Sequence, residues 1–289
     1  MTSHALERFL LSDKRDKRAY ESLPSDPSHA KDGNNMSAEK EHLINESGGE
    51  ATEQDVVEKY VLPGCAEFVA TLLFVFVGCM AAVGTGSGPI VNVALAHGLT
   101  IALVVASFGH ISGAHVNPAV TLGIVIAGGI TLPVAVVYLF AQLLGGMVGA
   151  GFVRLLSPVE LFNMTNGGAQ TINPSVVTWG TAIGCEIFLT IVLVFTILMV
   201  AVDSKTNKTL APIIIGVAVV VCILAGGWLS GASMNPARTF GPAVAVTSYN
   251  PDIWKYHYIY WVGPFLGACV SGLLYRLVFA SPDKRVWRR

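Results

Sequence analysis

Six long apolar runs limit what this chain can fold into. They cover about residues 61–83, 93–110, 132–156, 178–202, 209–227 and 257–280. A helix needs about 20 apolar residues to cross the roughly 30 Å hydrocarbon core of a bilayer, and each run is close to that length. Two further apolar stretches, near 117–127 and 235–246, are too short to span. The pattern predicts an all-α membrane protein with six spans.

Charged residues are concentrated before the first apolar run. Residues 1–59 hold 21 of the 37 charged side chains, which leaves 16 for the other 230 residues. Because this polar segment cannot bury enough apolar surface to fold, we predict a disordered tail at 1–59, a membrane domain at 60–280 and a short tail at 281–289. The net charge of −1 argues against nucleic acid as a partner.

The basic residues predict the orientation in the membrane. The 1–59 segment has eight Lys and Arg residues, the connection after the fourth run has two, and the chain from Arg276 onward has five. Cytosolic N and C termini place all of these on the cytosolic side, as the positive-inside rule expects. Arg154 and Lys255 then fall near the outer face, and Arg238 falls inside the membrane. The plasma membrane is favoured, with an intracellular or mitochondrial membrane as the alternative.

The chain also contains an internal repeat. Residues 66–71 (AEFVAT) resemble 185–190 (CEIFLT), and residues 112–119 (SGAHVNPA) resemble 230–237 (SGASMNPA). The second copy starts after three spans, so the two copies insert with opposite polarity. Inverted repeats of this kind place the functional site near the membrane midplane, between the two copies.

Each copy carries an Asn-Pro-Ala motif at the start of a short apolar stretch. The two motifs are Asn117-Pro118-Ala119 and Asn235-Pro236-Ala237. Asn is a preferred N-cap and Pro is favoured at the first helical position, so both motifs predict helix starts. If the two loops fold inward from opposite faces, the positive ends of two half-helices meet near the membrane centre. Irregular backbone at that depth is tolerated where it lines a water-filled cavity.

These motifs make the sequence resemble the aquaporin (major intrinsic protein) family over about residues 60–280. The resemblance implies six transmembrane helices plus two re-entrant half-helices, one pore per subunit, a homotetramer in the lipid bilayer and no cofactor. It implies that Asn117 and Asn235 orient water in single file while protons and ions are excluded. The flanking segments 94–99 and 223–227 are most similar to the aquaporin-8 and tonoplast intrinsic branches of the family.

The resemblance further implies a narrow selectivity filter nearer the outer face. Its four positions are His97, Ile223, Ala232 and Arg238. A charge at this depth costs roughly 2.5–3.5 kcal/mol on insertion scales, so Arg238 should face a wet cavity and repel cations. Strict water channels have an aromatic residue in the second span and a His in the fifth, and this chain has neither. We therefore expect ammonia and hydrogen peroxide to permeate with water, with strict water selectivity as the alternative.

Other residues are expected to support the loops or to lie outside the membrane. Glu67 and Glu186 are the acidic residues inside the predicted spans, and we expect them to accept hydrogen bonds from the motif loops. His115, two residues before the first motif, is interpreted as ordering its loop. Asn163 begins an Asn-Met-Thr glycosylation acceptor in the predicted external third loop. Thr239 stands where glycerol channels of the family carry Asp, which favours the water-type branch.

Three other classes of protein compete with the channel. An enzyme would need a nucleophile–base pair or a metal cluster, and the sequence has no motif for either; the five cysteines lack metal-type spacing. A secondary transporter also uses inverted repeats but needs ion-coupling carboxylates, for which Glu67 and Glu186 are the candidates. A junction protein with a sealed pore would pass no solute. The sequence therefore favours a passive channel.

Overall fold

The computed structural model of the chain describes residues 53–206 and 208–281. Within these ranges the secondary structure consists of helices and their connections, without β-strands. Most of the predicted N-terminal tail and of the predicted C-terminal tail lies outside the described residues.

The helices of the described ranges follow one another in the order that the hydropathy pattern predicts. They are α1 (Leu62–Thr85), α2 (Ile90–Ser112), α3 (Pro118–Ile126), α4 (Leu132–Leu156), α5 (Val159–Met164), α6 (Trp179–Ile197), α7 (Ala211–Gly226), α8 (Pro236–Val246) and α9 (Ile259–Leu274). With their flanking turns, α1, α2, α4, α6, α7 and α9 are the six that are long and apolar enough to cross a membrane. The all-α, six-span prediction is confirmed.

The first span begins earlier than its apolar run predicts. A helical turn at Glu53–Val56 and a wider turn at Val57–Val61 lead directly into α1. Residues 53–59 are therefore helical, although they belong to the polar segment that the sequence predicts to be a disordered tail. Extending an existing helix adds one hydrogen bond for each residue fixed, so α1 can continue beyond its apolar segment into polar sequence.

The two short apolar stretches form half-helices. The helices α3 and α8 have 9 and 11 residues, which at 1.5 Å per residue gives lengths of about 14 and 17 Å. Each begins at the Pro of its motif and is capped by the preceding Asn, whose backbone is extended. Each is therefore about half as long as the hydrocarbon core is thick.

Each half-helix packs against a span of the other repeat. The helix α8 of the second copy lies along α4 of the first, and α3 of the first copy lies along α9 of the second. The outer surface is strongly apolar, with Leu103 67% and Phe188 71% exposed. An apolar exterior suits contact with lipid, and the polar groups of the motif loops are enclosed between the spans.

Candidate pore

The two motif loops contact each other inside the helix bundle. The side-chain nitrogen of Asn117 donates to the Met234 carbonyl at 2.8 Å, and that of Asn235 donates to the Val116 carbonyl at 2.9 Å. Each Asn oxygen accepts the backbone N–H two residues further on, at 2.8 and 3.0 Å respectively. Since an amide nitrogen carries two N–H donors, these bonds account for one donor of each Asn.

A buried carboxylate holds the first loop in shape. Glu67 is fully buried, and one of its oxygens accepts the Ser112 hydroxyl at 2.6 Å and the His115 backbone N–H at 2.8 Å. The other oxygen accepts the Val116 N–H at 2.7 Å and the Gln142 amide at 2.8 Å. Four donors satisfy both oxygens, which is what a buried carboxylate needs if its burial is not to cost several kcal/mol.

The second loop repeats this arrangement around Glu186. One oxygen of Glu186 accepts the Ser230 hydroxyl at 2.7 Å and the Ser233 N–H at 2.9 Å. Its other oxygen accepts the Met234 N–H at 2.7 Å. The internal repeat found in the sequence is therefore also a repeat of hydrogen bonds.

These bonds hold a backbone that is unfavourable by itself. Four residues other than Gly have positive φ in the loops, at angles between 47° and 58°: Ala114, Val116, Ala232 and Met234. A left-handed conformation costs roughly 1–2 kcal/mol for such residues. In each loop the buried Glu accepts the N–H of the second of these residues, so the carboxylate stabilises a conformation that the residues would not adopt freely.

Two tyrosines complete the loops, a role that the sequence did not predict for either of them. Tyr138 donates to the Ser112 carbonyl and Tyr260 to the Ser230 carbonyl, both at 2.7 Å. Both tyrosines are buried in the third span of their repeat. The signal that could have found them is their equivalent position in the two copies, since neither stands in a local motif.

His97 and Arg238 form a buried, hydrogen-bonded pair. The guanidinium of Arg238 donates to the Gly168 carbonyl at 2.8 Å and, through Nε, to Nε2 of His97 at 3.3 Å. The other ring nitrogen of His97 lies 2.8 Å from the Val93 carbonyl. Because a carbonyl only accepts and a guanidinium only donates, these contacts fit a neutral imidazole with its proton on Nδ1.

A cavity of about 360 Å³ connects the His97–Arg238 pair with the two motif loops. It is lined by all four residues of the predicted filter and by both motif asparagines; these are His97, Ile223, Ala232, Arg238, Asn117 and Asn235. The lining also includes Lys208, in the turn before α7, which is 15 positions from Ile223. Ile215 and Ile223 on α7 both line the cavity, and at 1.5 Å per helical residue their separation of eight positions corresponds to about 12 Å along that helix. None of its lining residues in the described chain is acidic.

Two supporting residues come from the connection before α6, for which the sequence predicts no role in the pore. Gly168 supplies the carbonyl that fixes Arg238, and Gln170 donates to the Gly231 carbonyl at 2.7 Å. Gln170 also accepts the Thr239 hydroxyl at 2.6 Å. This connection therefore reaches the second motif loop, which no local sequence pattern indicates.

The remaining predicted residues lie in two different places. His115 lines the cavity, its Nδ1 is 3.1 Å from the Thr121 hydroxyl, and its ring packs edge-on against Tyr138. Asn163 is exposed on the short helix α5, away from the cavity lining. The hydroxyl of Thr165, the third residue of the acceptor motif, donates to the Leu161 carbonyl at 2.7 Å.

Comparison with known proteins assigns this architecture to a family. The family model described as Major intrinsic protein matches residues 57–275. The chain belongs to the major intrinsic proteins, the aquaporin family. Members of this family are passive channels for water and small solutes rather than enzymes, so the channel prediction is confirmed at that level. This aquaporin is a multi-pass membrane protein.

Individual relatives support the same assignment. Aquaporin-8 of Mus musculus is 43% identical over 230 residues, which cover 79% of this chain and 86% of the relative. Probable aquaporin TIP2-2 of Oryza sativa subsp. japonica is 43% identical over 229 residues, covering 75% and 87%. The aquaglyceroporin structure from Plasmodium falciparum superposes with a TM-score of 0.68 at 26% identity, covering 76% of this chain and 96% of that one. The predicted resemblance to the aquaporin-8 and tonoplast intrinsic branches is confirmed.

Proposed function

We propose that this aquaporin conducts water, ammonia and hydrogen peroxide and excludes protons and ions. The observation that carries the proposal is the composition of the cavity wall, where His97 and Arg238 are hydrogen-bonded to each other and Ile223 and Ala232 are also lining residues. Two polar groups serve small neutral molecules that accept or donate hydrogen bonds. The side chains of Ile223 and Ala232 have no polar atoms, so they form no hydrogen bonds that a solute would have to match.

Water would pass the two motif asparagines next. The oxygens of Asn117 and Asn235 are occupied by the half-helix N–H groups, and each side-chain nitrogen uses one donor on the opposite loop. The second donor of each amide is suited to a water oxygen in the cavity. A water that accepts a hydrogen bond from each asparagine uses both lone pairs of its oxygen. It then cannot accept a hydrogen bond from a neighbouring water, which interrupts the chain of hydrogen bonds along which a proton would move.

Cation exclusion follows from the charges along the path. The N-termini of α3 and α8 each carry about half a positive charge and start at the motifs in the cavity wall. Arg238 adds a full positive charge, and no acidic residue of the described chain lines the cavity to offset it. A cation would lose its hydration shell without receiving a compensating ligand.

Glu67, Glu186 and His115 act in this proposal as supports of the motif loops. Both carboxylates have their oxygens directed at loop donors and are fully buried, and neither is among the residues that line the cavity. This placement favours a passive channel over a transporter, which would need its coupling carboxylates at the solute site.

The orientation, the oligomeric state and the membrane of this aquaporin are also part of the proposal. We infer cytosolic N and C termini, which puts Lys208 and the end of α9 on the cytosolic side and Asn163 outside, where its exposed position suits glycosylation. We also infer a homotetramer in the plasma membrane. The apolar outer faces of the helices are available for contacts with lipid and with other subunits.

The filter assignment is tested by exchanging its two distinguishing residues. Purified protein in lipid vesicles is compared with the double variant His97→Phe/Ile223→His, which has the pattern of a strict water channel. Osmotic shrinkage measures water, and internal pH measures ammonia in the same vesicles. We expect the double variant to keep water flux and lose ammonia flux. Leu99→Phe, an exposed residue on the same helix as His97, is the control and should change neither.

Either of two results would contradict the proposal. Water flux without ammonia flux in the unmodified protein would make it a strict water channel. Ammonia flux that persists in the double variant would mean that His97 and Ile223 do not select solutes.

A further inference from the structure

The C-terminal ends of the two half-helices, here called their outer ends, are each bound by an arginine side chain. A helix leaves its last four carbonyl groups without partners inside the helix. In α3, the carbonyls of Gly123, Ile124 and Val125 accept backbone N–H groups of the following turn. The carbonyl of Ile126, the last residue, accepts the guanidinium of Arg276 at 3.1 Å.

The half-helix α8 ends in a matching way. The Val244 and Val246 carbonyls accept backbone N–H groups, and that of Ala243 accepts the Thr247 hydroxyl at 2.8 Å. The carbonyl of Ala245 accepts the guanidinium of Arg154 at 2.7 Å. Arg154 also donates to the Ser248 hydroxyl at 3.1 Å, just beyond the helix.

The two arginines occupy equivalent positions of the internal repeat. Arg154 and Arg276 are 122 positions apart, and so are Tyr138 and Tyr260, which make the same bond in the two loops. Each arginine reaches across the repeat boundary, because α4 packs along α8 and α9 packs along α3. A chance surface contact would not recur with the same partner type at both positions.

We propose that Arg154 and Arg276 are positioning residues that anchor the outer ends of the half-helices and thereby set where the motif residues stand in the cavity. A positive charge at a helix C-terminus interacts favourably with the negative end of the helix dipole. The inner ends of α3 and α8 are tied to each other through the asparagines. With the arginine bonds, each half-helix is fixed at both ends.

The two anchors have different consequences for selectivity. The half-helix α8 carries Arg238 in its first turn, so releasing its outer end shifts a filter residue. The half-helix α3 carries Asn117 at its start but none of the four filter residues. This inference rests on the proposed role of Arg238 as part of the filter. Loss of Arg154 therefore relaxes the discrimination between solutes, and loss of Arg276 does not.

The test measures glycerol and water permeability in the same vesicles and takes their ratio, which does not depend on how many channels are folded. Arg154→Met should raise the glycerol-to-water ratio about fivefold, which corresponds to about 1 kcal/mol at a factor of ten per 1.4 kcal/mol. Arg154→Lys keeps the charge and a donor, so its ratio should stay near that of the unmodified protein. Arg276→Met should leave the ratio unchanged.

Two further variants complete the design. Lys255→Met removes an exposed positive charge from the segment that follows α8 and should not alter the ratio. If Arg154→Met does not fold well enough to be reconstituted into vesicles, Arg154→Gln takes its place. It also removes the charge, with a smaller change in polarity, and its glycerol-to-water ratio is compared with that of the unmodified protein. Arg238→Ala reports on the filter itself and should raise the ratio.

The outcomes separate this inference from the proposed function. An unchanged ratio in Arg154→Met, an equal rise in Arg276→Met, or a lysine variant as permissive as the methionine variant would overturn the anchoring role. If Arg238→Ala raises the ratio while Arg154→Met does not, the anchoring role alone fails. If Arg238→Ala has no effect, the filter assignment fails and the anchoring inference fails with it.

Discussion

Single buried polar residues determine the shape of the path through this aquaporin. The sequence led us to expect that Glu67 and Glu186 accept hydrogen bonds from the motif loops, and both do. The sequence could not indicate Gln142, which donates to Glu67 from 75 positions away, or Gly168, which holds Arg238 from 70 positions away. Such partners are brought together by packing between elements, and a glycine that contributes only its carbonyl leaves no local signal.

Substitution of Glu67 and of Glu186 by Gln should lower the stability of the protein by different amounts. In Glu67→Gln, either orientation of the amide puts its NH₂ group against two groups that now donate, so the Ser112 hydroxyl or the Gln142 amide must turn away from its present bonds. In Glu186→Gln the NH₂ group can face the Met234 N–H alone. A buried donor without an acceptor costs about 1–3 kcal/mol. We expect Glu67→Gln to lower the thermal unfolding midpoint in detergent more than Glu186→Gln does.

Glu160 provides the control for this comparison. It is exposed on α5, so Glu160→Gln should leave the unfolding midpoint unchanged. Equal midpoints for the three variants would show that the number of donors around each carboxylate does not determine stability.

At the level of elements, hydropathy and the two motifs were sufficient to predict the spans and both half-helices. A helix must have about 20 apolar residues to cross the bilayer, so each span is visible in the sequence as an apolar run of that length. The helical turns from Glu53 onward and the short helix α5 were not predicted. Both are polar or mixed in sequence, and their helical state depends on continuity with α1 or on the connection in which they lie rather than on the membrane.

Close helix packing at glycine predicts a second difference in stability. A Cβ added to Gly149 on α4 would lie 2.5 Å from the Leu72 carbonyl on α1, whereas one added to Gly151 would meet nothing within 4 Å. Forcing α1 and α4 apart typically costs about 1–3 kcal/mol. Gly151→Ala should instead increase the free energy of unfolding by up to about 1 kcal/mol, because Ala has a higher helix propensity than Gly.

Both glycine variants are compared by their thermal unfolding midpoints in detergent. Gly149→Ala should unfold at a lower temperature than the unmodified protein, and Gly151→Ala at the same or a higher one. If both variants behave alike, the close approach of α1 and α4 at Gly149 is not a constraint on the fold.

For the whole molecule, the inverted repeat explains why one cavity can serve as a path. Two half-helices from opposite copies meet at Asn117 and Asn235, and the cavity continues past them from Lys208 to the His97–Arg238 pair. The repeat and its opposite polarity were predicted from sequence. The dimensions of the cavity were not, because they depend on how side chains from several spans pack around it.

If solute passes passively through this cavity, a bulky side chain in its wall should block the flux. Val219 lines the cavity and is 4% exposed, while Val217 on the same helix is 54% exposed on the outer surface. Osmotic water flux is measured by stopped-flow in vesicles containing Val219→Trp, Val217→Trp or the unmodified protein, with and without an ion gradient.

We expect rapid, non-saturating water flux that no ion gradient alters. This flux should be lost in Val219→Trp, because the indole fills the path, and retained in Val217→Trp. Flux that saturates or follows the ion gradient would indicate a coupled transporter. Absence of flux in the unmodified protein would indicate a sealed pore. Undiminished flux in Val219→Trp would show that water does not pass through this cavity.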